Sequence, residues 1–223
     1  MTRPRIGRRQ IGNEAEPLVV IDDFADDPGA LGAAAANAAF ASAGQHYPGI
    51  RAPLPDEYLR DQLPVVARAL GREFGPCRRI HVIDAQFSIV TKTPDALDIR
   101  QRLPHVDAYG RERIALVHYL SPTNRDGTAF FRHRGTGFET IDETRAPAFF
   151  ARLASEIETT PPDGYITDDT SLFERTALVD AAYNRALLYR SYVLHSGAIA
   201  RDSVVSADPA KGRLTVTAFL AIE

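Results

Sequence analysis

The pattern of hydrophobic and polar positions separates a helical first third of the chain from a remainder rich in strands. An alanine-rich stretch at 28–43 follows Asp26 and Asp27, either of which can cap a helix. A second helical pattern covers 55–74, with Pro64 as a kink or as the start of another helix. These helices are expected to support the strands that follow them.

Strand patterns dominate the rest of the chain, and one short buried strand precedes the helices. Segments that are β-branched, aromatic or alternating lie at 18–21, 80–90, 114–120, 128–133, 138–141, 186–194 and 213–222. In one of them, Ile114, Leu116, His118 and Leu120 share a face because side chains alternate along a strand. Helices followed by many short strands define an α+β class, whose β part is expected to close into a sandwich or small barrel.

Domain organisation follows from the lack of any repeat period or long low-complexity linker. We expect one domain over 1–223, with 1–16 as a basic tail, 17–79 as mainly helical support and 80–223 as the β core. Arginines without a following apolar run predict that the tail is a solvated terminus and not an export signal. Within the β core, a helix predicted at 146–157 is followed by a polar loop, interpreted as an excursion from the core.

Composition and charge argue against several classes of protein. The formal net charge is −3, whereas a general nucleic-acid binder needs a basic surface to offset phosphates. The single cysteine, Cys77, excludes an intramolecular disulfide and a zinc site built on several thiolates, and it suits a reducing cytoplasm. The alanine-rich stretch 30–41 is too short to span a membrane. We therefore expect a cytoplasmic protein with neither nucleic acid nor membrane as a partner.

The segment 104–107, with the sequence Pro-His-Val-Asp, carries the strongest candidate chemistry. Residues two apart in an extended backbone point the same way, so the imidazole of His105 and the carboxylate of Asp107 can converge on one ion. His195 is the best candidate for a further ligand, because it ends the apolar segment 186–194 and can face a cavity there. Two imidazoles and one carboxylate on one face of a metal leave other positions open, as in non-haem Fe(II) oxygenases.

Arg213 and Thr215 form a second candidate constellation at the start of the last predicted strand. Their spacing of two places the guanidinium and the hydroxyl on one face of that strand. A planar guanidinium matches a carboxylate in bidentate fashion, and the hydroxyl adds a further donor. The pair is therefore a candidate grip on a dicarboxylate co-substrate, at the end that lies away from a metal.

The order His-x-Asp, His and Arg-x-Thr resembles the Fe(II)/2-oxoglutarate-dependent dioxygenases. The segment 113–120, followed by 126–130, looks like the prolyl-hydroxylase branch, in which a strand ending Tyr-Leu leads through a turn to a glycine-rich strand. The glycine pair of that branch is Asp126-Gly127 in this chain. The likeness covers roughly 87–222, and the loop at 47–51 is similar to an uncharacterised bacterial branch.

The resemblance implies a fold, cofactors and site residues together. The implied fold is a double-stranded β-helix, a jelly roll of two antiparallel sheets, with the N-terminal helices packed against one sheet. The implied ligands of Fe(II) are His105, Asp107 and His195. Arg213 with Thr215 is implied to grip the C5 carboxylate of 2-oxoglutarate, and the Tyr119 hydroxyl is a further candidate contact of that co-substrate. The long gap before His195 implies an insertion at 145–185, interpreted as a lid or as an occupant of the pocket.

The function predicted from these residues is hydroxylation of a small-molecule or peptide substrate, with dioxygen as a co-substrate. The sequence leaves both substrate classes open, and Tyr47 and Arg51 are candidate substrate contacts because loops carry specificity. His118 is interpreted as a core or pocket-wall histidine, and His133 as a solvated one. The alternative is a non-catalytic module, either a cupin-like barrel that binds a metal or ligand or a scaffold that binds a protein partner.

Overall fold

The computed structural model describes residues 3–71 and 73–223, which form a β-rich chain with helices at four places. The strands are β1 (Arg5–Ile11), β2 (Glu16–Asp22), β3 (Ala41–Ser42), β4 (Gly49–Pro53), β5 (Ile80–Val90), β6 (Arg113–Tyr119), β7 (Gly127–His133), β8 (Phe173–Val179), β9 (Arg185–Arg190), β10 (His195–Ala198) and β11 (Leu214–Ile222). The helices are α1 (Pro28–Ala36), α2 (Glu57–Leu70), α3 (Ile99–Arg102) and α4 (Ala146–Thr159). None of them combines the length and the apolar character needed to cross a membrane.

Two antiparallel sheets organise the strands. The larger sheet has eight strands in the order β1-β2-β9-β6-β11-β5-β4-β3, and the smaller sheet has three in the order β10-β7-β8. An isolated bridge joins His105 to His195 of β10, so the segment before β6 extends the smaller sheet by a short fourth element. A mostly antiparallel β structure with supporting helices agrees with the predicted α+β class.

The helices of the N-terminal part pack on the outer face of the larger sheet. Leu31 of α1 and Val66 and Leu70 of α2 share one buried cluster with Leu188 and Val216 of the sheet. Burial of side chains of this size stabilises the contact by roughly 1.5–3 kcal/mol each. The helices therefore lie outside the sheet and leave its opposite face free to form a cavity.

Helix α2 packs on the sheet with a face that can be seen in the sequence. Tyr58, Gln62, Val66 and Leu70 are buried and recur every four residues, which places them on one side of a helix. Pro64 lies within this single helix and neither ends it nor starts another. The neighbouring element α1 begins as predicted, because the Asp27 side chain accepts a hydrogen bond from the Ala30 amide at 2.9 Å.

The space between the sheets and the outer face of the smaller sheet hold two further buried clusters. The first cluster lies between the sheets and includes Leu18, Val117, Phe130, Leu187 and Tyr189. The second joins α4 to the smaller sheet and includes Phe131, Phe149, Leu153, Phe173 and Leu194. Because each sheet is covered by helices on its outer side, the space between the sheets is the protected interior of the β core.

The prediction of a solvated tail at 1–16 is wrong for Arg5–Ile11, which form strand β1. Strand β1 pairs with β2 in a continuous antiparallel register from Arg5 opposite Asp22 to Ile11 opposite Glu16. Most side chains of β1 are exposed, so the segment has no hydrophobic period that would predict a strand. Its backbone supplies the pairing at the sheet edge, where charged side chains are common.

Two other boundaries differ from the sequence prediction. Helix α1 ends at Ala36 and not near 43, because Asn37 caps it and its side-chain amide donates to the Ala33 carbonyl at 2.9 Å. The excursion from the β core covers 134–172 and not 145–185, since the region after it is strand β8 of the smaller sheet. The short strand predicted at 138–141 is reduced to a single bridge within this excursion.

Candidate metal centre

The backbone fixes the two segments that carry the candidate metal ligands. The His105 amide donates to the His195 carbonyl at 2.9 Å, and the His195 amide donates to the His105 carbonyl at 3.0 Å. The Asp107 amide donates to the Ser191 carbonyl at 2.8 Å. These bonds hold the His-x-Asp segment against β10, so residues ninety positions apart in the chain become neighbours.

The three candidate side chains converge on one point. One ligand atom of each of His105, Asp107 and His195 lies within 4.8 Å of the others. The Nε2 atom of His195 is 3.4 Å from one oxygen of Asp107, and the Nε2 atom of His105 is 3.8 Å from the other oxygen. Two imidazole nitrogens and one carboxylate oxygen are a donor set that suits divalent iron and leaves coordination positions open.

A hydrogen bond orients the ring of His195, and the surroundings of His105 favour its neutral form. His195 is buried, and its Nδ1 lies 2.9 Å from the Val193 carbonyl, to which it donates. That bond leaves the Nε2 lone pair directed toward Asp107. The pKa of His105 is lowered to about 4, mainly by its enclosure in the protein and then by the nearby His195, although 54% of its side-chain surface is open to the cavity. The His105 ring is thus neutral at pH 7.

A cavity of about 480 Å³ lies over these residues and receives side chains from both sheets. His105, Asp107, His195 and Arg213 all line it. Its volume is within the range of small-molecule sites. The cavity therefore combines the candidate metal ligands and the candidate anion-binding arginine in one space.

Arg213 is a buried cation held by neutral partners. Its Nε donates to the Asp126 carbonyl at 2.7 Å and its Nη2 to the Gly127 carbonyl at 2.9 Å, and only 8% of the residue is exposed. Within residues 3–71 and 73–223, no carboxylate forms an ion pair with it. Burying an ion without a counter-ion is costly, so this side of the cavity is suited to an anionic ligand.

Thr215 and Tyr119 are not among the residues that line the cavity. The Thr215 hydroxyl donates to the Ser88 carbonyl at 3.3 Å, and the Tyr119 hydroxyl is 2.7 Å from the hydroxyl of Thr128. The Arg213 guanidinium lies 5.4 Å from the centroid of the Tyr119 ring. Both residues are almost fully buried, and the Tyr119 ring supports the arginine.

Tyr47 and Arg51 also reach the cavity, as do residues that the sequence did not indicate, but Arg51 lies on strand β4 and not in a loop. The Arg51 guanidinium stacks over the Tyr47 ring at 4.7 Å from its centroid, and both residues line the cavity. The excursion contributes Tyr165 and Ile166 to the wall, and the Ser196 hydroxyl donates to the Ile166 carbonyl at 2.9 Å. No motif marks Tyr165, because its place depends on how the long excursion folds back.

His118 and His133 lie outside the cavity, whereas His46 is one of its lining residues. His118 is buried on the outer face of the larger sheet between the Tyr58 hydroxyl, 3.1 Å from Nδ1, and the Asn184 side chain, 3.0 Å from Nε2. This confirms its interpretation as a core histidine. The interpretation of His133 as solvated is wrong, since it is fully buried with Nε2 2.8 Å from Glu156 of α4. The alternation of β7 turns His133 toward α4 even though charged residues flank it.

Fold and site together define a protein of two facing antiparallel sheets with a candidate metal-binding cavity between them. By sequence, residues 2–220 match the family of unknown function DUF6445, and the chain belongs to that family. No curated protein matches the sequence.

Two solved structures have a fold similar to that of this chain. One is HygX from Streptomyces hygroscopicus with nickel and 2-oxoglutarate bound, with a TM-score of 0.52, 11% identity, and coverage of 94% of this chain and 84% of that protein. Another is SnoN, a non-haem α-ketoglutarate-dependent epimerase from nogalamycin biosynthesis, with a TM-score of 0.52, 14% identity, and coverage of 93% and 79%. At these identities the likeness concerns the fold.

Proposed function

We propose that this protein is an Fe(II)- and 2-oxoglutarate-dependent oxygenase that hydroxylates a small molecule. The observation that carries the proposal is the opening of two features into one cavity: the His105, Asp107 and His195 cluster, and the buried Arg213 without a counter-ion. The proposal is supported by the fold that this chain shares with HygX, which binds nickel and 2-oxoglutarate, and with the α-ketoglutarate-dependent epimerase SnoN. When bound, iron and 2-oxoglutarate supply the oxidising chemistry with dioxygen, and 2-oxoglutarate is converted to succinate and carbon dioxide.

The finer assignment of the fold is part of the same proposal. Strands β5, β11, β6 and β9 face the His105 segment, β10, β7 and β8, which gives eight strands in two antiparallel sheets. A double sheet of eight strands is the arrangement of a jelly roll. We assign it as a double-stranded β-helix that is widened at both edges of the larger sheet. Its resemblance to the prolyl-hydroxylase branch in particular stays a prediction from sequence.

The metal-binding role assigns a task to each residue of the cluster. His105 and His195 would supply neutral imidazole nitrogens, and Asp107 would supply the single negative charge. The Val193 carbonyl would hold the His195 ring in the tautomer that presents Nε2 to the metal. The backbone bridge between the two histidines would keep the ligands in place before the metal binds.

The co-substrate role rests on Arg213. Its guanidinium would neutralise the distal carboxylate of 2-oxoglutarate, while its bonds to the Asp126 and Gly127 carbonyls fix its direction. Tyr47 lines the same cavity, so its hydroxyl is a further candidate donor to this ligand. Enclosure between the sheets would exclude water from the reacting groups.

An anaerobic titration tests the proposal. Metal-free protein is titrated with Fe(II) and then with 2-oxoglutarate, and the visible metal-to-ligand charge-transfer band is followed. We expect a band in the wild-type protein that is lost in His105→Ala and His195→Ala. The matched control is His81→Ala, because His81 is exposed and lies outside the cavity. If wild-type protein retains no iron and shows no band, the oxygenase assignment is wrong and a non-catalytic binding role replaces it.

A further inference from the structure

The arginines that line the cavity carry more positive charge than the proposed metal and co-substrate neutralise. Arg51, Arg100, Arg102 and Arg213 line it, whereas Asp107 is the one carboxylate among its described lining residues. A divalent metal and the 2-oxoglutarate dianion offset each other, so the excess of arginine charge persists after both have bound. Low-dielectric walls strengthen the effect of such an imbalance on the choice of ligand.

Arg51 is the arginine best placed to act on a second ligand. Arg102 is already engaged, since its guanidinium donates to the Leu97 and Pro162 carbonyls at 2.9–3.2 Å. Arg100 is exposed, and Arg213 is bound to backbone carbonyls at the proposed co-substrate end. By contrast, the Nε atom of Arg51 is buried without a hydrogen-bond partner.

The surroundings of Arg51 form a prepared site and not an accidental contact. Arg51 pairs with Ser88 across β4 and β5, and Ser88 pairs in turn with Thr215 of β11, so the three residues lie in one row on one face of the sheet. The Tyr47 ring supports the guanidinium at 4.7 Å. Burial raises the pKa of Tyr47, and the charges of Arg213 and Arg51 partly offset that shift. Arg51 and Arg213 both line the cavity together with Tyr47.

We propose that the molecule hydroxylated at this site is a small anion whose carboxylate or phosphate group binds Arg51. This inference rests on the proposed function and adds the substrate class. A guanidinium binds either group in bidentate fashion. A cavity of about 480 Å³ holds a small molecule beside 2-oxoglutarate, which favours this class over a peptide.

Matched charged and neutral probes test the inference. Protein saturated with Zn(II), as a redox-inert ion, and with 2-oxoglutarate is titrated with benzoate, phenyl phosphate and benzamide, and binding is followed by ligand-observed NMR. We expect one or both anions to bind and benzamide to bind at least tenfold more weakly. Arg51→Gln is expected to weaken anion binding about tenfold, and Arg51→Lys to weaken it less. Arg60→Gln is the control, because Arg60 is exposed on α2 and pairs with Asp61.

Two outcomes would overturn the inference. One is equal binding of benzamide and the anions, or anion binding that Arg51→Gln does not change. The other is an Arg51→Gln variant whose 2-oxoglutarate affinity, measured with the Fe(II) charge-transfer band, falls as far as that of Arg213→Gln. In that case Arg51 belongs to the co-substrate grip. Failure of the oxygenase proposal is distinguished from both, because the wild-type protein itself would then show no band.

Discussion

His105 and His195 are joined by a reciprocal pair of backbone hydrogen bonds, at 2.9 and 3.0 Å, while their rings lie 4.5 Å apart. The bridge ties the candidate ligands from two distant parts of the chain to each other through the main chain. Their relative position therefore does not depend on a bound ion. Because the ligands are already in place, less of the metal's binding energy is lost in ordering them. The main-chain arrangement should also persist when any one of the three side chains is replaced.

Replacing Asp107 by Ala should remove iron binding without unfolding the protein. Asp107 is the only anionic member of the cluster, and its backbone bond to the Ser191 carbonyl remains in the variant. Replacing a residue that only supports a metal ligand typically lowers metal affinity 10- to 100-fold. We therefore expect Asp107→Ala, which removes a ligand itself, to lower iron affinity by more than about 100-fold. Iron content after anaerobic desalting measures it, with Asp163→Ala as the control at an exposed site outside the cavity. Full iron retention in Asp107→Ala would exclude Asp107 as a ligand.

Replacing Arg213 by Gln should weaken the binding of 2-oxoglutarate far more than the binding of iron. Removing one partner of a buried charge pair costs about 2–5 kcal/mol, which corresponds to roughly 30-fold or more in affinity. Arg213→Lys keeps the charge but loses the planar fork, so an intermediate loss is expected. Arg175→Gln is the control, since Arg175 pairs with the exposed Asp168 and lies outside the cavity. Unchanged co-substrate affinity in Arg213→Gln would show that the carboxylate binds elsewhere.

The sequence predicts the candidate site better than it predicts the edges of the fold. The convergence of His105 and Asp107 depends on local spacing of two, and the place of His195 depends on a strongly apolar strand, so both are visible in the sequence. Strand β1 is held by backbone pairing, and its exposed arginines show no period. Tyr165 reaches the cavity only because the excursion folds back, which no local pattern encodes.

Removing the carboxylate of Glu156 should loosen α4 from the smaller sheet. Glu156 meets the fully buried His133 at 2.8 Å, and its replacement by Ala leaves the His133 Nε2 without a partner. An unsatisfied buried polar group costs about 1–3 kcal/mol in the free energy of unfolding. Urea denaturation at pH 7 measures this cost. Glu158→Ala is the matched control, because Glu158 is exposed on the same helix and should change stability by less than about 0.5 kcal/mol.

The buried His118 should make the protein less stable as the pH falls. Burial lowers its pKa from 6.5 to about 4, and its neighbours Tyr58, Asn184 and Phe24 carry no charge. Below pH 6.5 His118 binds a proton in the unfolded chain, whereas in the folded protein it does so only near pH 4. The stability that the neutral imidazole contributes is therefore complete above pH 6.5 and is lost as the pH falls from 6.5 to 4. A shift of this size corresponds to a loss on the order of 3 kcal/mol.

The contribution of His118 can be isolated by comparing variants in metal-free protein. Free energies of unfolding are measured in urea at pH 7, 6, 5 and 4 for the wild type, His118→Gln and His81→Gln. Carboxylates also titrate near pH 4, but they do so in all three proteins, and the difference from wild type removes their effect. His118→Gln should be less stable at pH 7 and lose less stability between pH 6.5 and 4, because it has no imidazole to protonate at this position. His81→Gln should keep the steep loss, because His81 is exposed and its replacement leaves His118 in place. If the wild type and His118→Gln lose stability in parallel, His118 is protonated in the folded protein, and its network with Tyr58 and Asn184 tolerates the charge.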